Sequence, residues 1–174
     1  MLDRHIFKSA TTAPTAVRDA LGLCFAQELL VPSPRVILVA PWISNIVIFD
    51  NRMGQFDGLN PGWDRREIRL IDVLVAMACN STVLDVRVRT DAHNQLFKPR
   101  LFSALGDAGV KDQCVWTESS VLHTKSLLTD HVVIGGSMNF TENGIAINAE
   151  AVTISFESYK VAQAHTELDE HGAS

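Results

Sequence analysis

Residues 123–150 read HTKSLLTDHVVIGGSMNFTENGIAINAE, and three polar pairs in this stretch stand two positions apart: His123 with Lys125, Ser137 with Asn139, and Asn148 with Glu150. Side chains alternate faces along an extended chain, so each pair can present two groups to one side of a strand. Apolar residues surround all three: Val121 and Leu122 before the first, Val132, Val133 and Ile134 before the second, Val152, Ile154 and Phe156 after the third. An imidazole, an ammonium, a hydroxyl, two amides and a carboxylate suit a phosphodiester. They supply a nucleophile or acid, a countercharge, donors to oxygen and an anion that orients the imidazole. Taken singly, H-x-K is most often a solvated strand edge and GGSMN a turn. Their occurrence in order, followed by N-x-E, is what points to chemistry.

Outward from this stretch, the elements alternate as in an α/β domain. Residues 15–30 place Val17, Leu21, Cys24, Phe25 and Leu29 on one helical stripe. Val36 to Ala40 is wholly apolar, as a strand buried on both faces should be. Asp64 and Glu67 resemble a capping box, predicting a helix that buries Ile68, Ile71, Leu74, Val75 and Ala78. Thr82 to Arg89 alternates Leu84, Val86 and Val88 against Asp85, Arg87 and Arg89, the pattern of a strand. A helix over 99–107 with Pro99 in its first turn, a strand near Cys114 to Trp116 and a last helix over 157–170 complete the expectation. No repeat, low-complexity tract or linker interrupts 1–174, which reads as one domain. Residues 50–63, DNRMGQFDGLNPGW, are a long connection without apolar periodicity. Arg52 and Trp63 on it are candidates to border a substrate entrance, against the blander reading of a surface excursion with Trp63 packed on the core.

With 174 residues and 47% hydrophobic content, the chain can bury roughly 70% of its unfolded surface. No apolar run of about 18 residues is present, so no spanning helix is expected. The start, MLDRHIFKSATTAPTAVRD, has no apolar leader core, which argues against secretion. Cys24, Cys79 and Cys114 lie far apart among apolar neighbours and read as reduced core thiols of a cytoplasmic protein. Asp91-Ala92-His93 could tempt a metal reading, but a strand end entering a loop explains it as well. Fifteen basic and twenty acidic residues give −5 per chain, hence −10 for two chains, which opposes nonspecific attraction to nucleic acid. Screening acts over about 8 Å, so the field at the site itself decides. Further basic candidates are Arg65, Arg66 and Arg69 on the predicted second helix, Arg87 with Arg89, and Lys98 with Arg100; solvated faces explain each equally well.

The stretch resembles the signature of the phospholipase D superfamily, HxK(x)4D followed by GSxN. His123, Lys125 and Asp130 match the first part with its spacing intact, and Gly136, Ser137 and Asn139 match the second. Five residues separate Asp130 from Gly136 where the family usually has six, and the shortening falls in a predicted turn at His131. The resemblance implies an α-β-α sandwich, a mixed sheet flanked by helices on both faces, with one half-site per chain. It also implies a two-step displacement: one histidine attacks phosphorus, and a second protonates the leaving alcohol and then activates water. Lipases of the family carry two copies of the signature in one chain, and this chain carries one. The second histidine is therefore expected from an identical chain across a two-fold axis, in a homodimer with a shared site.

By the same resemblance, His123 is nucleophile in one subunit and general acid in the other. Lys125 neutralises the nonbridging oxygens, and Ser137 and Asn139 bind them. Glu150 accepts from the far imidazole nitrogen. Asp130 lies at an odd offset from His123 and is expected to be structural, as is Gly136. No metal or other cofactor is implied, two lysines supplying the charge. Small single-motif members are similar to nucleases, so a cytoplasmic nuclease acting on nucleic acid, without membrane attachment, is the first expectation. A phospholipid hydrolase or transferase is the alternative, and a noncatalytic phospholipase D-like subunit of a phage-defence or DNA-modification complex is a third.

Overall fold

The computed structural model describes residues 3–9, 11–12 and 15–172; Met1, Leu2, Ala10, Ala13 and Pro14 of the segment judged above for a leader, and the last two residues, lie outside them. In chain order the elements are β1 (Arg4–Lys8), α1 (Ala16–Leu30), β2 (Arg35–Ala40), β3 (Val47–Asp50), β4 (Glu67–Arg69), α2 (Leu70–Cys79) and β5 (Val83–Arg89). There follow α3 (Phe97–Asp107), β6 (Cys114–Ser119), β7 (Ser126–Leu128), β8 (Val133–Gly136), β9 (Glu150–Ser155) and α4 (Ser158–Gly172).

Seven strands form one mixed sheet in the order β1-β9-β8-β7-β2-β5-β6, and β3 pairs with β4 apart from it. β2, β5 and β6 run parallel, whereas β7, β8, β9 and β1 continue the sheet antiparallel. Alternation along β2 shows how both faces are covered. Val36, Leu38 and Ala40 join a core with Phe25 of α1, Leu74 of α2 and Leu101 of α3, while Ile37 and Val39 pack with Leu128 and with Val161 of α4. The chain is thus the expected α/β sandwich, with α1, α2 and α3 on one face and α4 on the other. No helix among the described residues is long and apolar enough to cross a membrane.

Two expectations need correction. The second helix does not begin at Asp64–Glu67. Glu67–Arg69 is strand β4, with Ile68 fully buried, and the helix starts at Leu70. Asp72 is the acid that accepts the Arg69 amide at 2.8 Å, and Arg66 grips that carboxylate at 2.8 and 2.9 Å. Arg65, Arg66 and Arg69 therefore do not share a helix, and Arg69 pairs with Glu67 at 3.0 Å. The cysteines also differ from expectation: Cys24 is buried, Cys114 half-buried, but Cys79 is exposed. The N-terminal strand β1 was not anticipated; its Ile6 and Lys8 are buried while His5 and Phe7 are exposed, the alternation of a half-covered strand.

The register brings one end of the sheet together. Val39 pairs with Ser126, Ser126 with Gly135, Gly136 with Val152 and Glu150 with Lys8. The end of β2, the start of β7, the end of β8, the start of β9 and the end of β1 thus lie along a single edge.

Candidate active site

The polar pairs lie where strands begin or end rather than inside them. His123 and Lys125 precede β7, Ser137 and Asn139 follow β8, and Asn148 leaves a π-helical turn, Asn143–Ile147, just ahead of β9. Only Glu150 is itself in a strand. The expectation of three extended segments with pairs on one face is corrected accordingly: unpaired polar groups are costly within a sheet core, and the ladder stops before they occur.

Gly136 shows why the motif requires glycine. Its φ is +151°, and a Cβ there would stand 2.1 Å from the Ala151 carbonyl oxygen. The close crossing lets the Ser137 amide donate to that carbonyl at 3.0 Å, while the Ala151 amide donates to Ser137 Oγ at 3.1 Å. Ser137 Oγ–H in turn donates to Glu150, whose other oxygen accepts from Asn148 Nδ2 at 3.5 Å. Gly144 plays a similar part beneath Asn139, since a Cβ would meet the Asn139 carbonyl oxygen at 2.4 Å. Asn139 Oδ1 accepts from the Trp42 amide at 3.4 Å, which leaves its Nδ2 hydrogens as donors.

His123 is exposed, and its ring has no hydrogen-bond partner among the described residues; Lys125 Nζ donates to its carbonyl at 2.9 Å. Within one chain Glu150 is thus engaged by Ser137 and Asn148 and not by the imidazole. Asp130 is elsewhere. It sits in the turn joining β7 to β8, with its carboxylate 3.6 Å from His165 Nε2 and its amide donating to Ser33 Oγ at 3.0 Å. Five residues of nearly extended chain put it roughly 16 Å from Lys125, at the far end of the sheet.

One residue of this edge escaped sequence analysis. Lys8, 3% exposed, ends β1 opposite Glu150 and donates from Nζ to the Asn148 carbonyl at 2.6 Å. Burial pushes its ammonium below the usual lysine range, and the nearby Glu150 acts the other way. The only signal was the alternation in RHIFK, with a lysine on the inward face.

The remaining candidates fall into place around this edge or away from it. Trp63 is buried, 5.8 Å ring to ring from Phe49, in the wall of a cavity of about 490 Å³ that also touches Leu29, Ala76, Cys79 and Ala104. No residue of 123–150 lines that cavity, and Arg52 pairs locally with Asp50, so neither borders the motif. Arg87 is held by Asp85 at 2.8 Å, and Lys98 by Glu118 at 2.9 Å, above the Trp116 ring. Among the described residues no three His, Cys, Asp or Glu side chains come together in a way that could hold a metal ion.

A family model described as "Cardiolipin synthase, PLD-like domain" matches residues 56–171. No curated protein sequence matches the chain. Among solved structures, NucT from Helicobacter pylori is similar with a TM-score of 0.58 at 12% identity, over 97% of this chain and 94% of that one. Nuc from Salmonella typhimurium, a phospholipase D family member, gives 0.56 at 13% identity over 95% and 90%. A polyphosphate kinase from Porphyromonas gingivalis gives 0.63 at 13% identity, over 96% of this chain but 25% of its own. At such identities the likeness is one of fold.

Proposed function

The chain belongs to the phospholipase D superfamily of phosphodiesterases, and on that premise we propose that it is a metal-independent nuclease whose active site forms between two identical chains. The observation that carries this is the state of His123: the chain has one such motif imidazole, exposed beyond the strand ends and without a hydrogen-bond partner among the described residues, with Val121 and Ile147 of the neighbouring sequence 76% and 58% exposed. Exposed apolar side chains such as these suit an isologous contact that covers them and brings the second imidazole opposite the first.

In the proposed reaction, Nε2 of one His123 attacks phosphorus and a P–N bond forms. The P–O bond to the leaving alkoxide breaks as the other imidazolium delivers its proton to that oxygen. The second imidazole then takes a proton from water, whose oxygen displaces the first histidine and restores it. Lys125 from each chain balances the nonbridging oxygens, and Asn139 Nδ2 donates to them. Ser137 joins them by turning its hydroxyl from Glu150, which frees that carboxylate to accept from the imidazole and fix its tautomer. Asp130 and Gly136 serve the scaffold.

The three cysteines are free, and burial pushes the Cys24 thiol up to about 12 and the Cys114 thiol to about 11. Such inert thiols fit a reducing, cytoplasmic setting. The description of the matching family model favours a second reading, phospholipid transfer or hydrolysis, at the same residues. Incubation in EDTA with plasmid, oligonucleotide or short-chain phospholipid separates the two. Nucleic-acid cleavage that His123→Ala abolishes supports the nuclease, turnover of phospholipid alone supports the second reading, and inertness toward all three favours a noncatalytic subunit of a larger complex.

A further inference from the structure

A cleft with polar groups at its rim opens next to the segment that packs on the motif. It has a volume of about 160 Å³, and Ser44, Asn45, His93, Leu96 and Arg100 are among its walls. We propose that this cleft is a second phosphate-binding subsite, which holds a phosphodiester neighbouring the one cleaved and so selects a polynucleotide chain over an isolated diester. The proposal rests on the nuclease assignment and extends it to substrate length.

The cleft is physically joined to the motif. Ile43 bridges to Phe140, the Ser44 amide donates to the Phe140 carbonyl at 2.8 Å, and the Trp42 amide reaches Asn139 Oδ1. Residues 42–44 thus form a common wall, one side facing Asn139 and the other the cleft. In the sheet, β5 stands two strands from β7, so a group held past the end of β5 is roughly 10 Å from one held at the start of β7. That separation is within the reach of neighbouring phosphates on one strand.

Its donors are held in place from below. Asn94 is 1% exposed; its Oδ1 accepts from the Ile43 amide at 3.0 Å, and its Nδ2 donates to the carbonyls of Pro41 at 2.8 Å and Arg89 at 2.7 Å. This pins the wall to the end of β5. Asp91 accepts from the His93 amide at 2.9 Å and from the Trp42 side chain; the bond from His93 is the larger cause keeping its carboxyl below the usual range. The carboxylate is committed to the scaffold, and His93 Nε2 meets Ser44 Oγ at 2.8 Å at the rim.

Of the arginines, Arg100 is the one that lines this cleft. Arg35, Arg52, Arg66, Arg69 and Arg87 all pair with carboxylates. Exposed Arg100, on the first turn of α3, has no ion-pair partner among the described residues. In a chain of net charge −5, an uncommitted guanidinium next to a histidine, a serine and an asparagine makes a local anion site. Leu96, 75% exposed on the lip, offers an apolar surface for a base.

The test compares Arg100→Gln, Arg100→Lys and His93→Gln with the wild type on two substrates in EDTA: a single-stranded oligonucleotide of about 12 nucleotides, and bis(p-nitrophenyl) phosphate, which has one phosphorus. Loss of a charged hydrogen bond predicts a KM for the oligonucleotide raised about tenfold in Arg100→Gln, partly restored in Arg100→Lys. The logarithmic salt dependence of oligonucleotide affinity should become shallower by about one unit, with kinetics on the small diester unchanged. Unaltered oligonucleotide kinetics in Arg100→Gln, or an equal loss on both substrates, overturns the subsite and leaves the nuclease standing. A wild type that hydrolyses the small diester but no oligonucleotide, or that hydrolyses neither, removes the nuclease assignment and the subsite with it.

Discussion

Lys8 donates to the main-chain carbonyl of Asn148 across 140 positions of sequence, tying the first strand to the segment that delivers Glu150. Burial disfavours its charge, so the lysine contributes little to net stability and much to placement. Lys8→Met should therefore shift the urea midpoint only slightly while lowering kcat about tenfold, as Asn148 and Glu150 lose their anchor. The sign with pH can be checked as well. A lysine with a lowered native pKa binds fewer protons folded than unfolded between that value and 10.5, so wild-type stability gains on Lys8→Met as pH rises through this window. Equal activity of the two proteins would dismiss the anchor.

Ser137 and Glu150 are joined in the resting site, where one hydroxyl both donates to the carboxylate and accepts from the Ala151 amide, a contact that the proposed reaction must break. Ser137→Ala and Glu150→Gln should each reduce kcat, and the double variant should fall short of the product of the two losses by a coupling of about 0.5–3 kcal/mol. Strict additivity in the cycle would show that the contact has no part in turnover.

Asp130 carries the signature's aspartate but stands at the opposite end of the sheet, half exposed beside His165. Asp130→Asn should leave kcat unchanged and cost less than about 1 kcal/mol, the usual value of an exposed ion pair. A large drop in kcat at unchanged stability would place the residue in the chemistry instead.

Much of this was legible beforehand because periodicity and burial agreed. The apolar run of β2, the alternation of β5 and the stripe of α1 each specify one way to hide their hydrophobic atoms. β4 was not, because Ile68 and Ile71 also fit a helical spacing; what decides is the tertiary bond from the Leu70 amide to the Ile46 carbonyl at 2.9 Å. Lys8 was hidden for a related reason. A lysine on the inward face of a short strand reads as a break in the pattern until the partner carbonyl from the other end of the chain is in place. The motif pairs were visible by spacing, but their position at strand ends depends on where the ladder stops.

Asp85 is buried between Arg35 at 2.5 Å and Arg87 at 2.8 Å, beneath α4. Burial raises its pKa, but the hydrogen bonds from Arg87 and Arg35 together outweigh this, and the carboxyl lies below its usual value. A depressed native pKa contributes stability that is present above the unfolded value of 3.8 and lost as pH falls through the native one. Urea titrations should show that loss below pH 3.8, and Asp85→Asn at pH 7 should cost about 3–5 kcal/mol by leaving the guanidinium of Arg87 buried without its anion. A flat acid profile would count against the pair.

The proposal that two chains share one site can be tested with mixtures. Wild-type and His123→Ala chains, unfolded together in equal amounts and refolded, distribute at random, so about one quarter of dimers hold two imidazoles. A site that needs both predicts about one quarter of the activity of wild-type protein refolded at the same total concentration. A value near one half would mean that each chain works alone.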